Sequence, residues 1–297
     1  MKKKVAVLGA GIEIFTFLEQ LYKEVTIVVY GYDKSTENSA KDSIVFCQQN
    51  HIPIISHYTE LDNYEIDIVF MLSYPPLIPQ SYIDKYWFVN MHMALLPKYR
   101  GMHGGTWAVV NGEKYHGFTV HKVDAGMDSG AIYYQESIET TLDDNINSIR
   151  QKIFDGFKAT IKTQFMNIVN GITPPMPQDE TQATYVGRRK PEDSLIDWKD
   201  TAWNIFNLVR ALAPPYTKGA FTYYKGKSLH IAKAKLYTTP HYIATCGQIV
   251  GHLHEKGVLI KCGDGVLLVE DLYYDDKYYL AGNFFKTVGA RLNYSPS

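Results

Sequence analysis

The chain has 297 residues, 45% of them hydrophobic, and its 30 Lys and Arg nearly balance 31 Asp and Glu, giving a formal net charge of −1. Such a length builds one large domain or two ordinary ones around a full apolar core, and the near-neutral charge argues against a surface devoted to a polyanion such as nucleic acid. Three scattered cysteines, Cys47, Cys246 and Cys262, form neither a disulfide framework nor a Cys-x-x-Cys zinc pair. No metal is expected, and a reducing, cytoplasmic setting is. The apolar run behind Lys2, Lys3 and Lys4 stops at Gly9, too short for a signal core, and nowhere do roughly 20 apolar residues run together as a membrane helix needs.

Residues 5–8 form a short apolar run, and 12–22 carry Ile14, Phe15, Leu18, Leu21 and Tyr22 at helical spacing. A β-branched run follows at 25–30, a helical stretch at 40–49, a brief strand at 52–55 and a strong buried strand at 66–72. Apolar strands alternating with helices predict an α/β fold with a parallel-rich sheet covered on both faces. After Val89 the texture changes. The stretch 90–105 reads as a loop, with a helix at 106–111, strands at 117–123 and 131–138, and a long helix from an Asp144 or Asn145 cap to about 169. Three prolines within 174–177 predict an extended connector over 171–184. A helix is expected at 201–213, capped by Asp200. Short strands at 220–224, 229–232, 248–252, 257–262 and 266–272 then predict a small barrel. The implied division is an α/β domain over 1–180, a helical connector over 181–218 and the barrel over 219–297.

Asn90-Met91-His92 directly follows the short aromatic and β-branched run 86–89. Open α/β sheets bind ligands at the carboxyl ends of their strands. Two residues apart on extended chain, Asn90 and His92 point the same way. An amide that donates hydrogen bonds and an imidazole that exchanges protons suit acyl transfer. By itself Asn-x-His is more often a satisfied polar pair, and Asp128-Ser129-Gly130 is ordinary turn chemistry. Gly9-Ala10-Gly11 invites a dinucleotide reading, but Ile14 stands where the third glycine of G-x-G-x-x-G belongs. A nucleotide-binding module without catalysis is the alternative from a different class.

Further motifs follow in order: Leu95-Leu96-Pro97-Lys98-Tyr99-Arg100-Gly101, then Gly117-Phe118-Thr119-Val120-His121, then Asp124-Ala125-Gly126-Met127-Asp128-Ser129-Gly130. In order and spacing this set resembles the folate-dependent formyltransferase family, whose pattern is Asn-x-His, Leu-Leu-Pro-x-(Tyr/Trp)-Arg-Gly, Gly-(Val)-Thr-x-His and Asp-x-Gly-x-Asp-(Ser/Thr)-Gly. Leu195-Ile196-Asp197-Trp198, Leu208-Val209-Arg210-Ala211 and Pro215-Tyr216 extend the likeness toward the C-terminus. The resemblance implies a Rossmann-like formyltransferase domain followed by a small OB-like β-barrel, with 10-formyltetrahydrofolate as co-substrate. Carried onto this chain, it makes Asn90, His92 and Asp128 catalytic. It places folate against Ser73, Tyr74, Ile78, Asp124, Ala125 and Gly126, and the acceptor against Lys98, Arg100, Met102, His103 and Tyr216. His116 and His121 are read as structural or rim residues. One departure is Gly104, where the family often has Pro.

The family includes enzymes that formylate methionyl-tRNA, glycinamide ribonucleotide and nucleotide-linked amino sugars. The tRNA enzymes carry a basic insertion after the second strand, whereas 31–38 here is short and mixed in charge; phosphate contacts dominate such affinity. The C-terminal barrel disfavours glycinamide ribonucleotide. The expected acceptor is therefore a nucleotide-linked amino sugar, with a dTDP-4-amino-4,6-dideoxyhexose of surface polysaccharide synthesis preferred and methionyl-tRNA as the alternative. A homodimer through the barrel is the accompanying expectation.

Overall fold

The computed structural model describes residues 1–293. Its first part runs β1 (Lys4–Gly9), α1 (Ile12–Leu21), β2 (Thr26–Gly31), α2 (Glu37–Gln49), β3 (Ile54–Ile55), β4 (Ile68–Leu72), α3 (Gln80–Ile83), β5 (Phe88–His92), β6 (Arg100–Gly101), α4 (Gly104–Val110), β7 (Tyr115–Lys122), β8 (Ile132–Glu139), α5 (Ile146–Val169) and β9 (Tyr185–Val186). The second part runs α6 (Ala202–Ala211), β10 (Ala220–Tyr224), β11 (Lys227–Tyr237), β12 (Ile249–Leu253), β13 (Gly257–Lys261), β14 (Val266–Tyr274), β15 (Lys277–Leu280) and α7 (Ala281–Phe284).

The larger sheet has the order β3-β2-β1-β4-β5-β7-β8. Strands β1 to β5 pair in parallel, and β7 runs antiparallel to β5. The order reverses between β1 and β4, so the crevice for a ligand lies at the carboxyl ends of the central strands. Strands β1 and β4 are almost wholly buried because helices cover both faces. Phe17 of α1 stacks on Phe70 of β4 at 4.0 Å between ring centroids, and Phe165 of α5 meets Phe17 edge-on at 4.8 Å. Aromatic pairs in such geometry add roughly 0.5–1.5 kcal/mol each beyond their buried area.

The C-terminal sheet is antiparallel, in the order β10-β11-β14-β13-β12 with β15 beside β14. Its two edges are joined through the chain at 289–293: Tyr223 of β10 exchanges hydrogen bonds with Asn293, Leu292 N–H donates to the Gly247 carbonyl, and Gly289 N–H donates to Ile249. Trp198 is buried and donates from Nε1 to the Thr222 hydroxyl at 3.1 Å.

The chain divides into two compact units that each draw on three stretches: 1–104, 117–138 and 152–186 in one, 105–116, 139–151 and 187–297 in the other. A single boundary at 180 and a separate connector over 181–218 do not describe this interleaving. It arises because helices α4 and α5 each begin in one stretch and end in another. Other differences are local. Helix α4 starts two residues before 106, at Gly104. The cap of α6 is Thr201, whose hydroxyl accepts from Asn204 N–H at 3.1 Å; Asp200 instead accepts from Thr201 N–H at 2.7 Å. The connector 171–184 is not free chain, since Met176 and Ile132 exchange two backbone hydrogen bonds. Among the described residues, no helix is long and apolar enough to cross a membrane.

Candidate active site

The site grows from the end of β5. Cross-strand register sets Asn90 opposite His121 and His92 opposite Thr119. The period of two on both strands therefore brings four polar side chains of two motifs onto one face. Thr119 is structural: fully buried, its hydroxyl donates to the Ala94 carbonyl at 2.7 Å and accepts from Leu96 N–H at 3.1 Å. It thereby clamps the loop that returns toward His92.

His92 is 8% exposed, and its Nε2 lies 2.8 Å from the Tyr99 carbonyl. A carbonyl only accepts, so Nε2 carries the proton and Nδ1 is the basic nitrogen of the neutral ring. Nδ1 faces Asp128 Oδ2 at 3.3 Å. Burial pushes the imidazole below its ordinary value, against the upward pull of Asp128 and of the Tyr99 hydrogen bond, while His121 adds to the lowering. Neutral His92 is a competent base at pH 7, and a proton taken up on Nδ1 sits against a carboxylate.

Asp128 is held in the left-handed region at φ 51°, which costs a non-glycine residue about 1–3 kcal/mol. The strain aims its carboxylate inward: Oδ2 accepts from Gly101 N–H at 2.9 Å, and Oδ1 lies 3.5 Å from His121 Nε2. Burial raises its carboxyl, but the facing imidazoles of His121 and His92 and the Gly101 amide outweigh burial and bring it to about 2. Asp128 is thus ionised whenever His92 is neutral.

Asn90 Nδ2 lies 3.1 Å from His121 Nε2, and His121 Nδ1 donates to the Lys122 carbonyl at 2.8 Å. With that tautomer, Nε2 accepts from the Asn90 amide and fixes which end of the amide is nitrogen. Asn90 then has a second N–H to offer to developing negative charge. His121, read from sequence as structural or rim, is 2% exposed and lies inside the catalytic set. Its signal was available in the strand register: the same alternation that pairs Asn90 with His92 pairs Thr119 with His121. His116 donates from Nε2 to the Glu113 carbonyl at 2.9 Å, a structural role.

Two glycines leave room for these groups. A Cβ on Gly104 would stand 2.5 Å from the Tyr99 carbonyl and 2.9 Å from His92 Nε2. The departure at Gly104 therefore meets a spatial need of the His92 ring. Gly101 has φ 100°, and a Cβ there would reach the Val186 carbonyl at 2.4 Å.

Of the residues expected near folate, Tyr74 and Ile78 pack on the apolar cluster of Leu61, Met71 and Phe88, against which Val123 also packs. The segments that contain 73–78 and 124–126 thus border one cluster. Ser73 is exposed with φ 53°. Burial pushes the Tyr74 hydroxyl up to about 12. Asp124 Oδ1 accepts from Gly126 N–H at 3.1 Å and from the Ser129 hydroxyl at 2.7 Å, which holds Ala125 and Gly126 out as exposed backbone.

The residues expected at the acceptor fare differently. Lys98, Met102 and His103 are exposed, and His103 has φ 63°. Tyr216 belongs to the other unit, where its hydroxyl bonds Thr106 at 2.9 Å and the Arg150 guanidinium lies over its ring at 5.2 Å. Arg100 is corrected from an acceptor contact to an internal anchor. It is fully buried, and its guanidinium donates to Gln178 Oε1, to both oxygens of Glu180 and to the Tyr185 hydroxyl, all within 2.6–3.1 Å. Sequence reasoning missed Gln178 altogether. No group of three metal-ligating side chains occurs among the described residues.

A donor amide beside a paired imidazole and carboxylate, at the carboxyl end of a central strand, is the equipment of acyl transfer. Comparison with known proteins agrees. Residues 49–162 match the model of the formyl transferase family, and 188–288 match its C-terminal domain. The methionyl-tRNA formyltransferase of Geobacter metallireducens is 30% identical over 230 residues, covering 76% of this chain and 71% of the relative. That of Fusobacterium nucleatum is 26% identical over 295 residues, covering 94% of each. The structure of the Helicobacter canadensis N-formyltransferase in complex with folinic acid and dTDP-3-aminofucose superposes with a TM-score of 0.68 at 20% identity, over 91% of this chain and 99% of that one. The chain belongs to the formyltransferase family.

Proposed function

We propose that this protein transfers the formyl group of 10-formyltetrahydrofolate to the amine of a nucleotide-linked amino sugar, with a dTDP-4-amino-4,6-dideoxyhexose for surface polysaccharide as the leading acceptor. The observation that carries the chemistry is the joining of Asn90, His92 and Asp128 at the end of β5, with His121 fixing the amide. The neutral acceptor amine attacks the formyl carbon, a C–N bond forms, and the carbonyl oxygen becomes an oxyanion. Asn90 donates an N–H to that oxygen; one such donor is worth roughly 10²–10³ in rate. His92 takes the amine proton on Nδ1, where Asp128 stabilises the imidazolium. That proton then returns to the folate nitrogen as its bond to the formyl carbon breaks, leaving a formamide and tetrahydrofolate. Exposed backbone at 125–126 offers donors and acceptors for a pterin edge, and Gly126 permits close approach.

Two features support a sugar over tRNA. The net charge is −1, and only a short turn separates β2, which ends at Gly31, from α2, which begins at Glu37. The solved relative from Helicobacter canadensis carries a dTDP-amino sugar. The names of the curated relatives favour methionyl-tRNA as the second reading. Purified protein with 10-formyltetrahydrofolate and a panel of dTDP- and UDP-linked 3- and 4-amino sugars plus charged initiator tRNA separates them. Formyl gain on a sugar nucleotide alone upholds the proposal. Formylation of the tRNA alone keeps the chemistry and removes the acceptor.

A further inference from the structure

We infer that Gln178, itself held by Arg100, is a positioning residue that fixes Asp128 beside His92, so that the stretch after α5 serves the reaction and is not merely a connector. The inference deepens the proposed formyl transfer and rests on it.

The Gln178 amide is saturated in one orientation. Its Nε2 donates to the Asp128 carbonyl at 2.7 Å and to the Gly130 carbonyl at 2.8 Å. Its Oε1 accepts from Arg100 Nε at 3.1 Å and Nη2 at 2.8 Å. Carbonyls only accept and a guanidinium only donates, so the amide cannot flip without losing all four contacts. The next residue after Arg100 supplies the remaining tie, since Gly101 N–H donates to Asp128 Oδ2 at 2.9 Å. Both the main chain and the carboxylate of Asp128 are therefore referred to one dipeptide, Arg100-Gly101.

That dipeptide is anchored in turn. It forms β6, paired in parallel with β9 at Tyr185 and Val186, and the buried Arg100 is anchored by Glu180 and Tyr185. Gln178 reaches the turn because Met176 exchanges two backbone hydrogen bonds with Ile132. Asp128 gains from such support, because its left-handed backbone is a conformation that costs a residue with a Cβ. A plain structural clip between Arg100 and Glu180 would not require an amide spanning the carbonyls on either side of Ser129.

The test uses Gln178→Met, which keeps length and packing but removes both donors, and Gln178→Glu, which keeps an oxygen toward Arg100 but loses the NH₂. Thermal melting checks that each folds, and either variant suffices if the other does not. The first readout needs no substrate: the ring ¹⁵N resonances of His92 at fixed pH in the full-length protein. We expect the Nδ1 resonance to move toward its position in Asp128→Asn, and no further movement when Gln178→Met is added to Asp128→Asn. The second is kinetic: kcat falls about tenfold or more with acceptor KM within about threefold, and the loss vanishes in the Asp128→Asn background. A wild-type His92 resonance in a folded Gln178 variant, or losses that simply multiply, overturns the inference. Wild-type protein that formylates no acceptor would sink the functional reading alone, and the resonance test would still decide the role of Gln178.

Discussion

Left-handed backbone at residues with a side chain occurs in both units, to different ends. In the C-terminal sheet it sits at hairpin tips: Lys225 with Gly226 between β10 and β11, and Asp275 with Asp276 between β14 and β15. Two successive residues of positive φ form the turn whose twist matches the strands it joins, and the cost is met locally by the hairpin. Around β5 the same conformation occurs at Tyr99, His103 and Asp128. There it turns a carbonyl toward His92 and a carboxylate toward His92 and His121, and at Asp128 it is secured by residues remote in sequence: Gly101, Arg100 and Gln178. One region uses strain to reverse the chain, the other to aim groups.

Replacing His92 by Ala should cut formyl transfer about 10³-fold per folded molecule, within the range for loss of a general base; a rate near wild type would remove His92 from the chemistry. Gly104→Ala should cost about 10²-fold in kcat, since a methyl there displaces the His92 ring or the Tyr99 carbonyl. An unchanged rate would mean the ring has room that the geometry denies.

A pH profile sharpens the comparison. Because His92 is pushed down, the active neutral form persists below its reference value of about 6.5, and kcat/KM should fall on the acid side only beneath that point. The stability effect has the same sign. Between the folded value and about 6.5 the unfolded chain binds more protons, so His92 lowers stability as pH falls through that window and costs nothing above it. A chemical-denaturation series across pH 5–7 on wild type and His92→Gln should show the shallower slope in the variant.

In the C-terminal sheet, Gly257→Ala should destabilise by roughly 1–3 kcal/mol, because φ is 137° and a Cβ would stand 2.1 Å from the Val269 carbonyl, while kcat per folded molecule stays unchanged. Smallest of all, Lys227→Ala breaks an exposed ion pair with Asp275 and should leave the unfolding transition almost unmoved.

The same contrast explains what the sequence discloses. Strands β1, β2 and β4, helix α5 from its Asn145 cap, and strands β10 to β14 of the C-terminal sheet are local patterns of burial, capping and turn chemistry, and each was legible as such. Asn90, His92 and Asp128 were legible as motif residues, and strand alternation could have added His121. Arg100 was misread because an arginine beside a site looks like a substrate contact until Gln178, Glu180 and Tyr185 are seen around it. Gln178 and Gly104 carried no local signal: their roles exist only in contacts with Asp128, Tyr99 and His92. Strand β15 and helix α7 escaped notice because 277–284 is too short and too mixed for either periodicity.

The most direct test of the account is single-turnover formyl transfer by Asp128→Asn beside wild type, with 10-formyltetrahydrofolate and a dTDP-linked 4-amino sugar, the product read by mass. The account predicts a formylated sugar nucleotide from wild type and a rate lower by about 10²-fold or more from the variant. Equal rates from the two proteins would contradict it.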